Sequence, residues 1–193
     1  MIQSDSLDAV FRTARTHYRW LDQPVSDDEL RVVYDLMKWG PTSANCSPAR
    51  ILFLRTPAAK ERLKPALSAG NVDKAMAAPV IAIVATDPEF YESLPYLYPQ
   101  ADARSWFADN HDLAAATAAR NGTLQGGYLI MAARAAGLDC GPMSGFDNDR
   151  VDQEFLSVEG WKSNFLLCLG HGDPAEAGER SPRLGFDEAC RLL

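Results

Sequence analysis

Three potential anion-binding side chains lie close together near the N-terminus of the sequence. Arg15, His17 and Arg19 occupy alternate positions directly after an apolar run with helical spacing. Alternate residues of an extended segment project to one side, and an arginine can bind a phosphate through two parallel hydrogen bonds. The three side chains could therefore converge on one anion. A solvated basic turn would have the same residues, so the cluster alone leaves both interpretations open.

Two further segments have sequences that suit a heteroaromatic ligand. ProThrSerAlaAsn at 41–45 joins a predicted helix to a predicted strand and presents hydroxyl and amide groups. GlyProMetSerGly at 141–145 is predicted to be a turn whose glycines would let backbone N–H groups approach a ligand. Turns that bond only to their own backbone use the same residues, and neither segment matches a phosphate-binding or dinucleotide-binding motif.

Other catalytic chemistries have little support in the sequence. It contains no Gly-X-Ser-X-Gly motif, and its three histidines lack metal-ligand spacing. Cys46 follows the polar loop, where a small buried hydrophobe is a more common role than a reactive thiol. We therefore expect no metal, and we expect any cofactor to be organic.

These residues must be positioned by one acidic globular domain, predicted to span 1–193. The formal net charge of -7 argues against nucleic acid and anionic membranes as partners. The four cysteines form no CxxC pair, and the first residues lack the regions of a signal peptide. No apolar run approaches the roughly 20 residues needed to cross a bilayer. A cytoplasmic location is the resulting expectation.

The helices are indicated by caps and by apolar spacing. Ser26 and Glu29 form a capping box at the start of one helix. The longest helical pattern runs over 112–136, is apolar nearly all round, and ends before Gly137 in the C-cap position. This pattern predicts a buried central helix.

The strands are indicated by short apolar runs without alternation. Such runs predict three buried strands, at 51–54, 80–85 and 164–170. Residues 95–110 lack a period and are predicted to form a long loop or lid on the substrate side. The fold class is therefore α+β, with a small mixed or antiparallel central sheet surrounded by helices and a long central helix.

Five short segments, taken in order, resemble the FMN-dependent nitroreductase family. They are ArgThrHisTyrArg from residue 15, ProValSerAspAspGluLeu from 24, GlyProThrSerAlaAsn from 40, ProMetSerGlyPheAsp from 142 and ArgSerProArgLeu from 180. The resemblance covers nearly the whole chain and implies a nitroreductase-like fold with FMN as the cofactor. The stretches at 37–50 and 102–107 are more specifically similar to the RutE-type subgroup, described as malonic semialdehyde reductases.

The resemblance also relates residues of this chain to the parts of FMN. The phosphate and ribityl chain would contact Arg15, His17, Arg19, Arg183 and Arg180. The loop along the flavin would comprise Thr42, Ser43 and Asn45, and the pyrimidine edge of the ring would contact Asn71 and Lys74. Flavin N5 and O4 would lie against the backbone of Pro142, Met143, Ser144 and Gly145. A lysine at the pyrimidine edge would stabilise the negative charge that reduced flavin accumulates near N1 and O2.

This sequence departs from the wider family pattern in two places. His17 stands where many members have a serine, and Ser47 and Ala49 stand where many have glutamine and tryptophan. The first departure would exchange a hydroxyl contact for an imidazole.

The activity implied by the resemblance is that of an FMN-dependent NAD(P)H oxidoreductase. NADH or NADPH would reduce FMN at N5, and an acceptor would take hydride from the same atom in a ping-pong cycle within a homodimer. For a RutE-type enzyme the acceptor would be malonic semialdehyde, giving 3-hydroxypropionate, and Arg104 is a candidate partner for its carboxylate. The alternatives are a broad NAD(P)H:quinone or nitroaromatic reductase and a flavin-binding protein without turnover.

Overall fold

The strands build an antiparallel sheet at the centre of the chain. The computed structural model describes residues 3–193; Met1 and Ile2, which belong to the predicted domain, lie outside the described residues. The strands in the described range are β1 (Ala49–Leu54), β2 (Val80–Thr86), β3 (Asp139–Met143) and β4 (Lys162–Gly170). They pair in the order β1-β2-β4-β3, and every pair is antiparallel. The prediction of a small central sheet is confirmed, and the run predicted as a buried strand at 80–85 is β2, which lies between β1 and β4 and is buried along its whole length.

The prediction of a turn at 141–145 is wrong for residues 141–143, which belong to a strand. The last three residues of β3 are Gly141, Pro142 and Met143, and Pro142 lies opposite Leu167 of β4. Among the described strands β3 pairs only with β4, so it is an edge strand, and its outer side carries a single bridge from Cys140 to Thr16. A proline is tolerated there because one side of an edge strand needs no backbone donor. The turn begins only at Ser144.

Helices cover both faces of the sheet. Those of residues 3–193 are α1 (Ser4–Leu7), α2 (Asp27–Met37), α3 (Pro57–Leu63), α4 (Val72–Ala77), α5 (Leu94–Leu97), α6 (His111–Ala135), α7 (Asn148–Val151) and α8 (Phe186–Ala189). One turn of π-helix follows α1 at Asp8–Arg12, and another follows α7 at Asp152–Leu156. No helix within this range is long and apolar enough to span a membrane.

The capping box predicted at the start of α2 is present. The hydroxyl of Ser26 accepts a hydrogen bond from the backbone N–H of Glu29 at 3.2 Å, and the Glu29 carboxylate accepts one from the Ser26 N–H at 2.8 Å. These two bonds satisfy donors that the first turn of a helix otherwise leaves free. The residue pattern therefore fixed the start of α2 correctly.

The long helix α6 packs one face closely against the sheet, which confirms the prediction of a long central helix, whereas its other face is exposed and not buried as predicted. A Cβ atom added at Gly122 would lie 2.2 Å from a methyl carbon of Thr86, and one added at Gly126 would lie 2.5 Å from the ring of Phe165. Side chains at these two positions would push the helix off the sheet. Gly137 follows α6 with φ at +84°, the left-handed conformation of a helix C-cap.

The two faces of β2 bury separate cores. Val80, Ala82 and Val84 pack with residues of α2 and α6 on one face. Ile81 and Ile83 pack with residues of α3, α4 and α7 on the other. Burial on both faces explains why the strand reads as an uninterrupted apolar run.

The segment predicted as a long loop at 95–110 is partly helical. Single turns of 3₁₀-helix occupy Phe90–Ser93 and Ala103–Trp106, on either side of α5. The rings of Phe90 and Phe107 pack edge to face with centroids 5.1 Å apart, and a small third core forms beneath them. Buried aromatic contacts between distant positions order this segment, which explains why its sequence shows no helical period.

Candidate functional site

A basic cleft of about 530 Å³ lies between the segment after α1 and the segment after β4. Its charged lining residues are Arg15, Arg19, Arg134, Arg180 and Arg183, with Glu176 and Glu179. The arginines that were predicted to bind one phosphate therefore come together in this cleft from two segments that are distant in sequence, 15–19 and 180–183. The excess of arginine over glutamate makes the cleft attractive to an anion.

Hydrogen bonds from two guanidinium groups join the two walls of the cleft. Arg15 donates to the backbone carbonyl of Gly178, while Arg180 donates to the carbonyls of Arg12 at 2.8 Å and Ala14 at 2.7 Å. Carbonyl oxygens carry only partial charge, and none of the five cleft arginines forms a salt bridge within residues 3–193. The positive charge of the cleft is therefore not neutralised by paired carboxylates.

Arg134 belongs to the cleft although no motif or spacing indicated it. It lies in the last turn of α6 and donates through Nη1 to the carbonyl of Val10 at 3.2 Å. Its Nε is buried and has no hydrogen-bond partner within the described part of the chain. A buried donor without a partner is costly, which marks this wall of the cleft as one where an added acceptor would be stabilising.

His17 lies behind the cleft rather than in it. Its side chain is only 8% exposed, and Nε2 lies 3.6 Å from a carboxylate oxygen of Asp139. The segment bends after a single bridge between Thr16 and Cys140, so its alternate side chains do not project to one side. Arg15 and Arg19 line the cleft while His17 does not, and the three side chains do not converge.

The residues predicted at the pyrimidine edge lie beside the cleft. Asn71 donates through its side-chain amide to the carbonyl of Gly145 at 3.0 Å. A Cβ atom added at Gly145 would come within 2.5 Å of the same amide, so glycine is required for this approach. The Lys74 Nζ lies 4.5 Å from the ring centroid of Tyr18, which lines the cleft. Of the predicted stretch at 142–145, Met143 is buried and Ser144 is exposed.

The polar loop at 42–47 has a strained backbone. Ala44, Asn45 and Ser47 have φ of 49°, 51° and 40°, and they are the only non-glycine residues with positive φ in the described chain. Each such residue costs on the order of 1–3 kcal/mol unless its surroundings hold it. Strain of this kind, concentrated in one exposed loop, is typical of a functional segment.

Hydrogen bonds to α6 and α5, and one within the loop, hold this strained backbone. The backbone N–H of Ser43 donates to Asn121 Oδ1 at 2.9 Å, and Asn45 donates through its amide to the carbonyl of Leu97 at 2.9 Å. The hydroxyl of Thr42 accepts from the N–H of Ser47 at 3.1 Å. Asn121 is buried on α6, and its own amide donates to a carbonyl one turn earlier. The loop is thus anchored from within the core.

Replacing Asn121 by alanine is expected to destabilise the protein by about 0.5–1.5 kcal/mol, because the Ser43 N–H loses its acceptor and the strained loop loses its hydrogen bond to a buried side chain of α6. The free energy of unfolding in urea, measured by circular dichroism, checks this. Asn164→Ala is the matched control, since its amide makes a 2.7 Å hydrogen bond to Thr123 at the surface. Equal losses of stability in the two variants would show that Asn121 does not anchor the loop.

The two groups of predicted residues lie at opposite edges of the sheet. The cleft lies beside β3, whereas the loop at 42–47 leads into β1. Three strand spacings separate these edges, a distance of about 14 Å before side chains and connections are counted. A single chain therefore does not bring the loop and the cleft into one site.

The family model described as "Nitroreductase family" matches residues 11–171 of this sequence. The chain belongs to the nitroreductase family. The matched range includes the predicted segments at 15–19, 40–45 and 142–147 and stops before the arginines at 180 and 183.

Solved structures with the same fold share few residues with this chain. A protein of Exiguobacterium sibiricum in complex with FMN, assigned as a nitroreductase, has a TM-score of 0.87 at 19% identity over 100% of this chain and 99% of its own. The Bacillus subtilis protein ydfN, also assigned as a nitroreductase, has a TM-score of 0.87 at 18% identity over 99% and 100% of the two chains. A Staphylococcus epidermidis protein assigned as an NAD(P)H:FMN oxidoreductase has a TM-score of 0.84 at 17% identity over 100% and 98%. At these identities the likeness establishes the nitroreductase fold.

Arg104, the residue predicted to meet a substrate carboxylate, is paired within this chain. Its guanidinium makes two hydrogen bonds to the carboxylate of Glu92, at 2.8 and 2.6 Å. The same hydrogen bonds lower the pKa of Glu92. Another carboxylate could meet the same two donors only if this exposed pair opens, and otherwise only the remaining N–H groups of Arg104, beside the charge of Glu92.

Cys46 does not have the properties of a reactive thiol in this structure. It is buried in the third core, and burial raises the pKa of its thiol. A protonated, enclosed thiol is a poor nucleophile at neutral pH. In the described residues, no three histidine, cysteine or acidic side chains are grouped in a way that could hold a metal ion.

Proposed function

We propose that this nitroreductase-family protein binds FMN and is an NAD(P)H-dependent flavin oxidoreductase. The observation that carries the proposal is the basic cleft, where arginines held by backbone carbonyls surround a volume of about 530 Å³ without neutralising salt bridges. A terminal phosphate suits such a cleft, because arginine binds phosphate oxygens through parallel charge-assisted hydrogen bonds.

The residues present fit each polar part of FMN. The proposed phosphate site is formed by Arg15, Arg19, Arg180 and Arg183, with His17 behind it. Arg134 lines the same wall and adds a fifth positive charge there. The proposed ring site comprises Asn71, Lys74 and the backbone at 142–145, next to the cleft, together with the loop residues Thr42, Ser43 and Asn45.

The chemistry of the proposed reaction belongs to the cofactor. When bound, FMN supplies hydride transfer at N5, from a nicotinamide and then to an acceptor. The chain itself binds and orients: Asn71 fixes the turn at Gly145 through its amide, and the charge of Lys74 is held over the ring of Tyr18. This division of labour accounts for the lack of an acid, base or nucleophile motif in the sequence.

We further propose a homodimer in which the loop at 42–47 of one copy faces the basic cleft of another. The separation of these two regions within one chain supports it. Residues 178–193 are exposed throughout, including Leu184 at 71% and Phe186 at 60%. A cavity of about 550 Å³ lies between α2 and the end of β1, where Leu30, Tyr34 and Phe53 are flanked by the charged side chains of Asp27, Arg31, Asp35 and Arg55. Exposed apolar surfaces of this kind are typical of faces that bind another chain.

Anaerobic mixing of the FMN-loaded protein with NADH or NADPH tests the proposed function. We expect the yellow flavin absorbance to bleach within seconds with at least one of the two nucleotides, and free FMN at the same concentration serves as the control. A protein that binds FMN but does not bleach it would be a flavin-binding protein without turnover. A protein that binds no added FMN would overturn the proposal altogether.

The proposed acceptor is malonic semialdehyde, reduced to 3-hydroxypropionate. Its carboxylate would be received by Arg104 after the pair with Glu92 opens. That pair favours the second candidate, a quinone or nitroaromatic acceptor, which needs no carboxylate receptor. Stopped-flow reoxidation of the reduced protein by malonic semialdehyde and by a neutral quinone, at equal concentrations, ranks the two. Faster reoxidation by the quinone would reject the semialdehyde as acceptor.

Replacing Lys74 by methionine is expected to lower the reduction potential of bound FMN. Lys74 forms no salt bridge within residues 3–193, so its charge is available to the reduced ring. A fixed charge beside a developing one contributes about 1–4 kcal/mol, which corresponds to about 20–90 mV for a two-electron couple. Equilibration with a redox dye, followed by absorbance, measures the potential.

The control for Lys74 is Lys162→Met. Lys162 is exposed and pairs with Asp152 at the opposite end of the sheet, so the same loss of charge there should leave the potential unchanged. Equal shifts in both variants would assign the effect to net charge and reject a specific role for Lys74.

A further inference from the structure

We propose that His17 is a positioning residue, which holds both walls of the basic cleft through Asp139 and thereby sets the affinity for the phosphate of the flavin. The inference rests on the proposed function and deepens it. His17 was predicted to touch the phosphate itself, whereas its side chain lies behind the cleft, against the protein.

The imidazole of His17 occupies a fitted space. A Cβ atom added at Gly172 would lie 2.3 Å from the ring, so the backbone at 172 packs directly on the imidazole. The ring of Trp20 lies on another side, with its centroid 6.5 Å away. A ring enclosed in this way cannot move without moving the backbone that carries Arg15 and Arg19.

One carboxylate contacts both walls of the cleft. Asp139 places Oδ1 3.6 Å from Nε2 of His17, and its Oδ2 accepts a 2.9 Å hydrogen bond from the N–H of Gly172. His17 lies within the first wall, between the two arginines, and Gly172 begins the chain segment that forms the second wall. Because Asp139 is the first residue of β3, both walls are fixed to the edge of the sheet.

The backbone of the first wall is fixed on either side of His17. The backbone N–H of His17 donates to the carbonyl of Cys140 at 3.0 Å. The carbonyl oxygen of His17 packs on Gly141 so closely that a Cβ atom added there would lie only 2.4 Å from it. Two residues later, the carbonyl of Arg19 accepts from the N–H of Asp173 at 3.1 Å. His17 is therefore the buried anchor of a short segment whose outward side chains are the two cleft arginines.

Removal of the anchor should loosen the phosphate site and leave the ring site intact. Of the residues proposed to contact the ring, Asn71 and Gly145 are bonded to each other and not to His17, and Lys74 contacts the first wall only through the ring of Tyr18. We therefore expect a selective loss: weaker binding of FMN, with unchanged binding of riboflavin, which has the same ring and no phosphate.

The experiment measures dissociation constants for FMN and riboflavin by fluorescence quenching in the wild type and in the variants His17→Ala, His17→Gln and Asp139→Ala. We expect His17→Ala and Asp139→Ala to bind FMN roughly tenfold more weakly or worse, a loss of about 1.4 kcal/mol, with riboflavin affinity within twofold. The double variant should lose little more than the worse single variant, because the two side chains act through one contact.

His111→Ala is the matched control, since this histidine is exposed at the start of α6 and should leave both affinities unchanged. Equal weakening of FMN and riboflavin in the His17 variants would assign His17 a general structural role and overturn the inference. Unchanged FMN affinity in a folded His17→Gln or Asp139→Ala protein would also overturn it. A wild-type protein that binds FMN no more tightly than riboflavin would instead reject the phosphate site and the proposed function.

Discussion

Replacing Arg15 and Arg19 together by glutamine is expected to weaken FMN binding by about a thousandfold while riboflavin affinity changes less than threefold. A hydrogen bond to a charged group contributes about 1.5–3 kcal/mol, so two lost arginines amount to about 3–6 kcal/mol, or about 10²–10⁴ in the dissociation constant. Glutamine keeps a polar side chain of similar length, so the change is mainly one of charge. Titration of the apoprotein followed by flavin fluorescence measures both ligands.

The control for this experiment carries the same change in net charge elsewhere. Arg62 and Arg150 are exposed arginines paired with Glu154 and Asp147, away from the basic cleft. The variant Arg62→Gln/Arg150→Gln should retain wild-type affinity for FMN. If both double variants lose affinity to the same extent, the attraction is a property of overall charge and not of the cleft. In that case, raising the salt concentration should remove most of the difference in FMN affinity between each double variant and the wild type, because exposed charges are screened over about 10 Å at 0.1 M ionic strength.

Local sequence signals were sufficient for most of the fold. The capping box at Ser26 and the apolar run of β2 depend on neighbours a few residues away, and both predictions are confirmed. The edge strand β3 could not be read in the same way. Its Gly-Pro-Met sequence is also that of a turn, and only pairing with β4, more than twenty residues later, makes it a strand. Such long-range pairing leaves no periodic trace in so short a segment.

In the candidate site too, the residues that were predicted differ from those that were missed in whether a signal in the sequence indicates their partners. Arginines at 15, 19, 180 and 183 could be grouped because the family resemblance places both segments at the flavin phosphate. Asn121 was missed because a single polar residue in an apolar helix gives no indication of its partner, here a backbone N–H 78 positions earlier. The orientation of His17 was missed because the bend of its segment depends on packing against Asp139 and Gly172, which the sequence does not reveal.

Mixing two inactive variants is expected to restore activity if the proposed site is shared between two copies. The variant Arg15→Gln/Arg19→Gln removes two positive charges from the cleft and so weakens binding of the phosphate. The variant Ser43→Trp fills the space in front of the exposed loop and so hinders binding of the ring. Each variant alone should lower flavin-dependent NADH oxidation by about a hundredfold or more. In a refolded equal mixture, half of the dimers carry one chain of each kind, and one of their two sites combines an intact cleft with an intact loop. About a quarter of all sites should then be active in such a symmetric dimer.

A second mixture separates a shared site from a site within one chain. A chain that carries all three substitutions, refolded with an equal amount of wild type, gives mixed dimers in which every shared site has one damaged component. Activity should fall to about a quarter of the wild-type value if sites are shared, and to about half if each chain builds its own. No recovery in the first mixture, together with half activity in the second, would place the whole site in one chain. The loop at 42–47 would then have to cross the width of the sheet to reach the cleft, against its anchoring by Asn121 and Leu97.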